Sequence, residues 1–177
     1  MSSSDFHIRS AEKKDLPKIV ELFDVSRKTM KEQGIDQWQD GYPFASDIED
    51  DMLNNRAYVL YSDGELVGYF AYTTGKEEVY ENISEGQFRE EKEYRYSSVH
   101  RVAVTPERRG HGYGSKIFEY AEKLAHMDHA LSLRCDTHED NRPMRALLAK
   151  CGFQYCGVVY YIRGEKKDKR IAFDLLI

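Results

Sequence analysis

The stretch VHRVAVTPERRGHGYGSKIF, from Val99 to Phe118, decides how the rest of the chain is read. An apolar strand pattern over Tyr96–Val104 is stopped by Thr105-Pro106. Arg108 and Arg109 follow, then glycine at 110, 112 and 114. A helical spacing over 113–126 then sets Ile117, Phe118, Ala121, Leu124 and Ala125 on one side. Glycines at alternate positions let backbone amides turn inward with no Cβ in the way. The first turn of a helix leaves its N–H groups without intrahelical partners and carries partial positive charge. Strand, basic pair, spaced glycines and helix, in that order, suit a phosphate or pyrophosphate. The plainer alternative is a flexible glycine turn ahead of a surface helix.

Working outward, residues 6–9 alternate apolar and polar and read as a first strand. Asp15 before Pro17 opens a helix that keeps Leu16, Ile19, Val20, Phe23 and Met30 at near-helical spacing until Gly34. Ser46 with Glu49 three residues on predicts a capping box for a second helix over 46–54. Residues 57–61 and 66–73 read as a hairpin about Ser62-Asp63-Gly64. Residues 75–95 are highly charged and read as an irregular excursion. Residues 131–135 form a short buried strand, and Arg142–Lys150 a helix stopped by Gly152. Two strands, 153–162 and 170–176, close the chain around the charged turn RGEKKDK. The order β-α-α-β-β-β-α-β-α-β-β predicts a mixed α/β fold, with helices on both faces of one sheet and residues 1–177 as a single domain.

Composition narrows the function classes. The 177 residues suit one ordinary core. Charged residues reach 32%, yet 26 basic against 31 acidic leave a net charge of only −5. That argues against a strongly basic nucleic-acid binder and against a disordered acidic tail. No apolar run approaches the ~20 residues that cross a bilayer. The start, MSSSDFHIRS, lacks the charged-then-apolar pattern of a secretory signal. Cys135, Cys151 and Cys156 are an odd count, which favours a reduced cytoplasm over a disulfide scaffold. Cys135-x-x-His138 and Cys151-x4-Cys156 lie among packing residues without paired-ligand spacing, so no metal is expected. His126 and His129 suit a solvated helix end.

Two phosphate-binding loops can be compared with this one. A Walker loop needs Gly-Lys-Ser/Thr, and Ser115-Lys116 reverses that order. Gly110-x-Gly112-x-x-Ser115 approximates a dinucleotide fingerprint, with Asp136 where a ribose-binding acid would lie. Five residues, however, separate the strand from the first glycine, and no second mononucleotide half fits. A dinucleotide-binding oxidoreductase is therefore the weaker reading.

Arg109-Gly110-His111-Gly112-Tyr113-Gly114 resembles the R/Q-x-x-G-x-G/A loop of the GNAT superfamily of N-acetyltransferases. Asn141 followed by the LLAKCGF helix end, 147–153, resembles that family's second motif. The two motifs span residues 96–156, and the element order agrees along the chain. The resemblance implies a mostly antiparallel twisted sheet, splayed between two central strands, and binding of acetyl-CoA as cosubstrate. It maps the pyrophosphate onto the amides of Arg109, Gly110, His111, Gly112, Tyr113, Gly114 and Ser115. The pantetheine arm is implied along the backbone of Val102, Ala103 and Val104, in the manner of an added strand. Asn141 is implied to touch the arm or fix the loop, and it also reads simply as a helix N-cap.

Transfer to an amine needs a base to remove a proton as nitrogen attacks the thioester. Strand alternation puts Ser98, His100, Val102 and Val104 on one face. Many family members carry a Glu or His on this strand, so His100 is the candidate base; its alternative is a histidine hydrogen-bonded within the sheet. An amide of Ala103 or Val104 is the expected oxyanion donor. Leu148 stands where the family often has a Tyr acid, which leaves Tyr113, Tyr155, Tyr160 or no acid at all, since a thiol of pKa about 8.5 is a tolerable leaving group. Cys156 reads as a small core residue rather than a nucleophile. In the turn-rich segment IDQWQDGYPF, Trp38 and Tyr42 are expected to wall the acceptor pocket, with Asp36, Gln37 or Asp40 meeting a cationic amine. For Trp38 itself a hydrophobic plug sealing the sheet is the favoured reading. The expectation is an acetyltransferase acting on a primary amine, with a CoA-binding module without turnover as the second class. A homodimer through an exposed final strand is also expected.

Overall fold

Both periodicities persist in the computed structural model, which describes residues 5–90 and 94–177. The strands are β1 (Phe6–Ser10), β2 (Ala57–Ser62), β3 (Glu65–Thr74), β4 (Tyr96–Val104), β5 (Ser132–Thr137), β6 (Gln154–Arg163) and β7 (Lys166–Leu176). The helices are α1 (Leu16–Glu32), α2 (Ala45–Leu53), α3 (Glu78–Glu81), α4 (Tyr113–Met127) and α5 (Arg142–Lys150). The strands make one sheet in the order β1-β2-β3-β4-β5-β7-β6. β4 and β5 pair in parallel, and β1–β2, β2–β3, β5–β7 and β6–β7 are antiparallel. The final strand, expected at an exposed edge, lies instead between β5 and β6, because β6 folds back on it as a hairpin. The described residues of 1–72 with 100–120 make one compact unit, and those of 73–99 with 121–177 make a second.

In the first unit, Ile19, Leu22 and Phe23 of α1 and Ile48 of α2 pack on Val59, Tyr69 and Ala71 of the hairpin strands. Burying each such side chain contributes about 2 kcal/mol. Phe23 meets Trp38 and Tyr69 edge to face, with ring centroids 5.3 and 5.4 Å away. Asp15 precedes α1 as expected, but it does not cap it. Its buried carboxylate accepts from both Arg9 guanidinium nitrogens (2.7 and 2.9 Å), the Glu12 amide and the Tyr61 hydroxyl. Burial alone would raise its titration; the hydrogen bonds from Arg9, the Glu12 amide and Tyr61 outweigh burial and hold it at about 2. A carboxyl depressed from about 4 stabilises the fold above pH 4 and loses that contribution as pH falls towards about 2. Asp15→Asn is expected to cost about 2 kcal/mol near neutrality. In urea unfolding at stepped pH, the gap between variant and natural chain should narrow over that acid window.

The second helix begins one residue earlier than expected and without the Ser46–Glu49 box. Asp47 Oδ2 instead accepts the Phe44 amide at 2.7 Å, which fixes the entry just after Pro43. The closing hairpin also turns more tightly than expected. Gly164 takes φ 60°, Arg163 pairs with Lys166, and the KKDK run becomes the start of β7. Its charges coexist with strand pairing because the backbone, not the side chains, forms the ladder.

The second unit corrects the reading of 75–95. Its described residues include α3 and an antiparallel bridge from Ser84 to Val158 of β6. A Cβ on Gly86 would come within 2.0 Å of the Cys156 carbonyl oxygen, and one on Gly157 within 2.6 Å of that of Ser84. Two glycines thus permit a backbone approach that no side chain allows. Tyr80 and Phe88 are buried there, and the Arg134 guanidinium lies 3.7 Å from the ring centroids of both Phe88 and Tyr96. Among the described residues no helix is long and apolar enough to cross a membrane.

Candidate active site

The glycine loop follows β4 through a short 3-10 turn, Pro106–Arg108. The Thr105 amide donates to the Val67 carbonyl at 2.9 Å, which pins the strand end. Gly110 and Gly112 take φ 79° and 83°, in the left-handed region, and a Cβ on either would meet nothing within 4 Å. Conformation rather than crowding demands glycine at both. The amides of Gly110, His111 and Gly112 donate to no protein group among the described residues. Those of Tyr113, Gly114 and Ser115 belong to the first turn of α4, where no intrahelical carbonyl is available. Six consecutive donors therefore gather at one helix start. Arg108 is drawn aside towards Asp63 (4.0 Å) and Glu65 (3.6 Å). Arg109 is exposed and makes no ion pair among the described residues, so it is the cation left beside the amides. His111 is exposed, with Nδ1 3.1 Å from the Arg109 carbonyl oxygen. Tyr113 is buried, and its hydroxyl shares a 2.7 Å hydrogen bond with Ser62.

β4 departs from simple alternation. Arg101 sits at φ 53°, a left-handed conformation inside a strand. Such a residue reverses the local pleat, so Ser98, His100, Val102 and Val104 do not form one uninterrupted face. Ser98 is fully buried, His100, Val102 and Val104 are half-buried, and Ala103 is buried. The turned backbone sends the Arg101 side chain inward. There Nε donates to Asp51 Oδ2 at 2.8 Å, Nη2 donates to Asp51 Oδ1, and Nη1 donates to the Tyr42 hydroxyl. Asp51 is wholly buried and also accepts from the Tyr69 hydroxyl at 2.7 Å. Burial would lower the Arg101 titration, but Tyr42 and Asp51 hold it above its ordinary value; burial and Asp51 push the Tyr69 phenol up. The sequence reading missed this network, since nothing local in His100-Arg101-Val102 announces it.

Tyr42 thus joins β4 to the 36–44 segment through Arg101. Trp38 is buried against Phe23 and plugs the core. Asp36 and Asp40 are exposed and Gln37 is buried. A cleft of about 360 Å³ in the same unit has Lys18, Glu21, Glu65 and Glu107 on its walls. Three carboxylates against one ammonium make it unfit for a diphosphate, which separates it from the ligand of the glycine loop.

In the second unit, Asn141 is buried and its side-chain oxygen accepts the Met144 amide at 3.2 Å, so it caps α5. Leu148 is fully buried. Tyr155 is exposed, and Tyr160 is half-buried with Lys167 Nζ 4.0 Å from its ring centroid. Burial, with Asp174 nearby, pushes the Cys156 thiol up to about 12, so it stays protonated and unreactive near neutrality. Among the described residues, no three His, Cys, Asp or Glu side chains gather as a metal site.

Residues 19–153 match the profile of the Acetyltransferase (GNAT) family. A GNAT-family acetyltransferase from Streptococcus agalactiae is 37% identical, with a TM-score of 0.85, covering 97% of this chain and 95% of that one. A Salmonella typhimurium protein solved with its cofactor acetyl-CoA shares the fold at a TM-score of 0.65 and 17% identity, over 97% of this chain and 93% of that one. An Escherichia coli streptothricin acetyltransferase is 34% identical over 62 residues, 35% of this chain. The match spans only 36% of that curated relative's length.

Proposed function

Because the chain belongs to the acetyltransferase (GNAT) family, we propose that it moves an acetyl group from acetyl-CoA to a primary amine by direct attack in a ternary complex. The observation that carries this reading is the run of amides from Gly110 to Ser115 without protein acceptors among the described residues, beside an Arg109 that makes no ion pair there. In this reading those amides and Arg109 hold the diphosphate, and the backbone of Val102, Ala103 and Val104 takes the amide-bearing arm. Asn141 reaches the arm or orders the adjoining loop while capping α5. Trp38 supports the acceptor wall from the core, and Tyr42 borders the acceptor. The whole chain acts as one acetyltransferase domain. Its three free cysteines favour a reducing cytoplasm. Copies pairing through the sheet would use an edge strand, β1 or β6.

The amine nitrogen attacks the thioester carbonyl carbon, and His100 removes a proton from it. An amide of Ala103 or Val104 meets the oxyanion. The C–S bond then breaks, and the thiolate leaves and takes a proton from solvent. No tyrosine acid is assigned, since Leu148 stands in its place and the Tyr113 hydroxyl is engaged with Ser62. A free thiol of pKa about 8.5 leaves without one.

Coenzyme A should raise Tm in a thermal titration while NAD does not, because a ligand that binds only the folded state stabilises it. Thiol release in the presence of an amine panel then separates transfer from binding without turnover. His100→Ala is expected to lower kcat about a hundredfold and to move the acid limb of its pH profile. An unchanged profile would remove His100 from the mechanism.

A further inference from the structure

We propose that Arg101 and Asp51 are positioning residues: their buried pair holds β4 in its turned conformation, and the turn sets the aim of the Ala103 and Val104 amides. The inference rests on the transfer reading above and deepens it, and every group it uses lies in the first unit. Arg101 takes φ 53° inside a strand. For a residue with a side chain that conformation is unfavourable, because the Cβ crowds the following carbonyl. It persists only where the surroundings over-determine it, and such outliers gather where chemistry needs a fixed geometry. Here the guanidinium supplies the hold. Nε and Nη2 fork onto the two Asp51 oxygens, and Nη1 donates to the Tyr42 hydroxyl.

Asp51 is a firm anchor. It lies on α2, which Ile48 seats on the core of the hairpin strands, and it accepts from the Tyr69 hydroxyl of β3 at 2.7 Å. At the other end of the segment, the Thr105 amide donates to the Val67 carbonyl at 2.9 Å. Residues 102–104 therefore run between two fixed points, one held through a side chain and the other through an amide. Rotation about φ of residue 101 swings each peptide plane that follows it, so a relaxed Arg101 would re-aim those amides. A buried ion pair rarely stabilises a fold more than apolar packing of equal volume, so its use here is to fix one conformation. The pair acts through the backbone and not on the reacting atoms.

The test compares two double variants, Arg101→Ala with Asp51→Asn and Arg101→Gly with Asp51→Asn, in which no buried carboxylate is stranded. Both lose the ion pair and the Tyr42 contact, and they differ in whether residue 101 accepts φ 53° freely. Thiol release is followed at a temperature where urea and thermal curves show each variant folded. The alanine variant is expected to lose about a hundredfold in kcat, the scale of one misaimed oxyanion donor. The glycine variant should regain about tenfold of that loss, since its backbone keeps the turn without a Cβ. The acetyl-CoA KM should move far less than kcat, because the oxyanion exists only in the transition state. Equal kcat in the two variants overturns the positioning role, since lost charge and Tyr42 would then explain the whole effect. If the alanine variant does not fold, Asp51→Asn alone takes its place: a fall in kcat supports the role, and the natural kcat overturns it. Should the natural chain release no thiol with any amine, the transferase reading fails instead. Amide chemical shifts of residues 102–104 then decide the pair: displacement with alanine and restoration with glycine support the held turn, and equal displacement overturns it.

Discussion

Replacing Arg101 by alanine is expected to destabilise the protein by about 3 kcal/mol, because it strands a buried carboxylate. Asp51 is fully enclosed, and both its oxygens face the Arg101 guanidinium. Without that group it retains the Tyr69 hydroxyl and Arg56 Nε at 3.4 Å from Oδ1. One phenol and one long contact do not balance a charge removed from water. Urea unfolding measures the loss. Adding Asp51→Asn to the variant should recover part of it, since a neutral amide needs no cation, and the double-mutant cycle then gives the coupling directly. Arg101→Gly should be milder than the alanine change by about 1 kcal/mol, since φ 53° strains any residue with a Cβ. A cost below about 1 kcal/mol for Arg101→Ala would mean that Asp51 does not depend on it. Because Arg101 also holds Tyr42, the acceptor KM should rise in the same variant while the acetyl-CoA KM stays put.

The double change Gly110→Val with Gly112→Val should raise the KM for acetyl-CoA about a hundredfold. Valine at φ near 80° is strained by about 1–3 kcal/mol at each site. The loop relieves that strain by rotating its peptides, which turns the amides away from a common point. Losing two hydrogen bonds to a charged group accounts for the factor. Tm should change little by comparison, because a Cβ at either position meets no neighbour within 4 Å. A large fall in Tm with coenzyme binding intact would show that the glycines serve folding and not the diphosphate. Single substitutions should give about tenfold each, as expected of separate donors.

What could be read from residues alone was whatever has a local cause. Apolar periodicity located the strands and helices, because spacing and burial are linked by the same geometry. The spaced glycines of 110–114 announced their own backbone. Asp15 was placed correctly before α1 but misread in role, since its true partners, Arg9 and Tyr61, arrive from two strands. Arg101 carried no signal of its own in the sequence; only the turned backbone and a distant Asp51 explain its inward aim. The excursion over 75–95 hid its order because Gly86 and Gly157 reveal their purpose only once they meet the carbonyls of Cys156 and Ser84. Asp136 accepts from the Tyr80 and Tyr161 hydroxyls, which come from a short helix and another strand, a convergence with no spacing rule behind it.

The state of the sulfur atoms has a practical consequence at the bench. Burial raises the Cys135 thiol well above its ordinary value, Cys156 is held at about 12, and only Cys151 at the end of α5 is partly exposed. Thiolates, not thiols, attack colorimetric disulfide reagents and release their coloured thiolate, so the buried, protonated Cys135 and Cys156 contribute little background. The colour that develops during turnover therefore counts liberated coenzyme, and a sudden rise without acceptor reports unfolding.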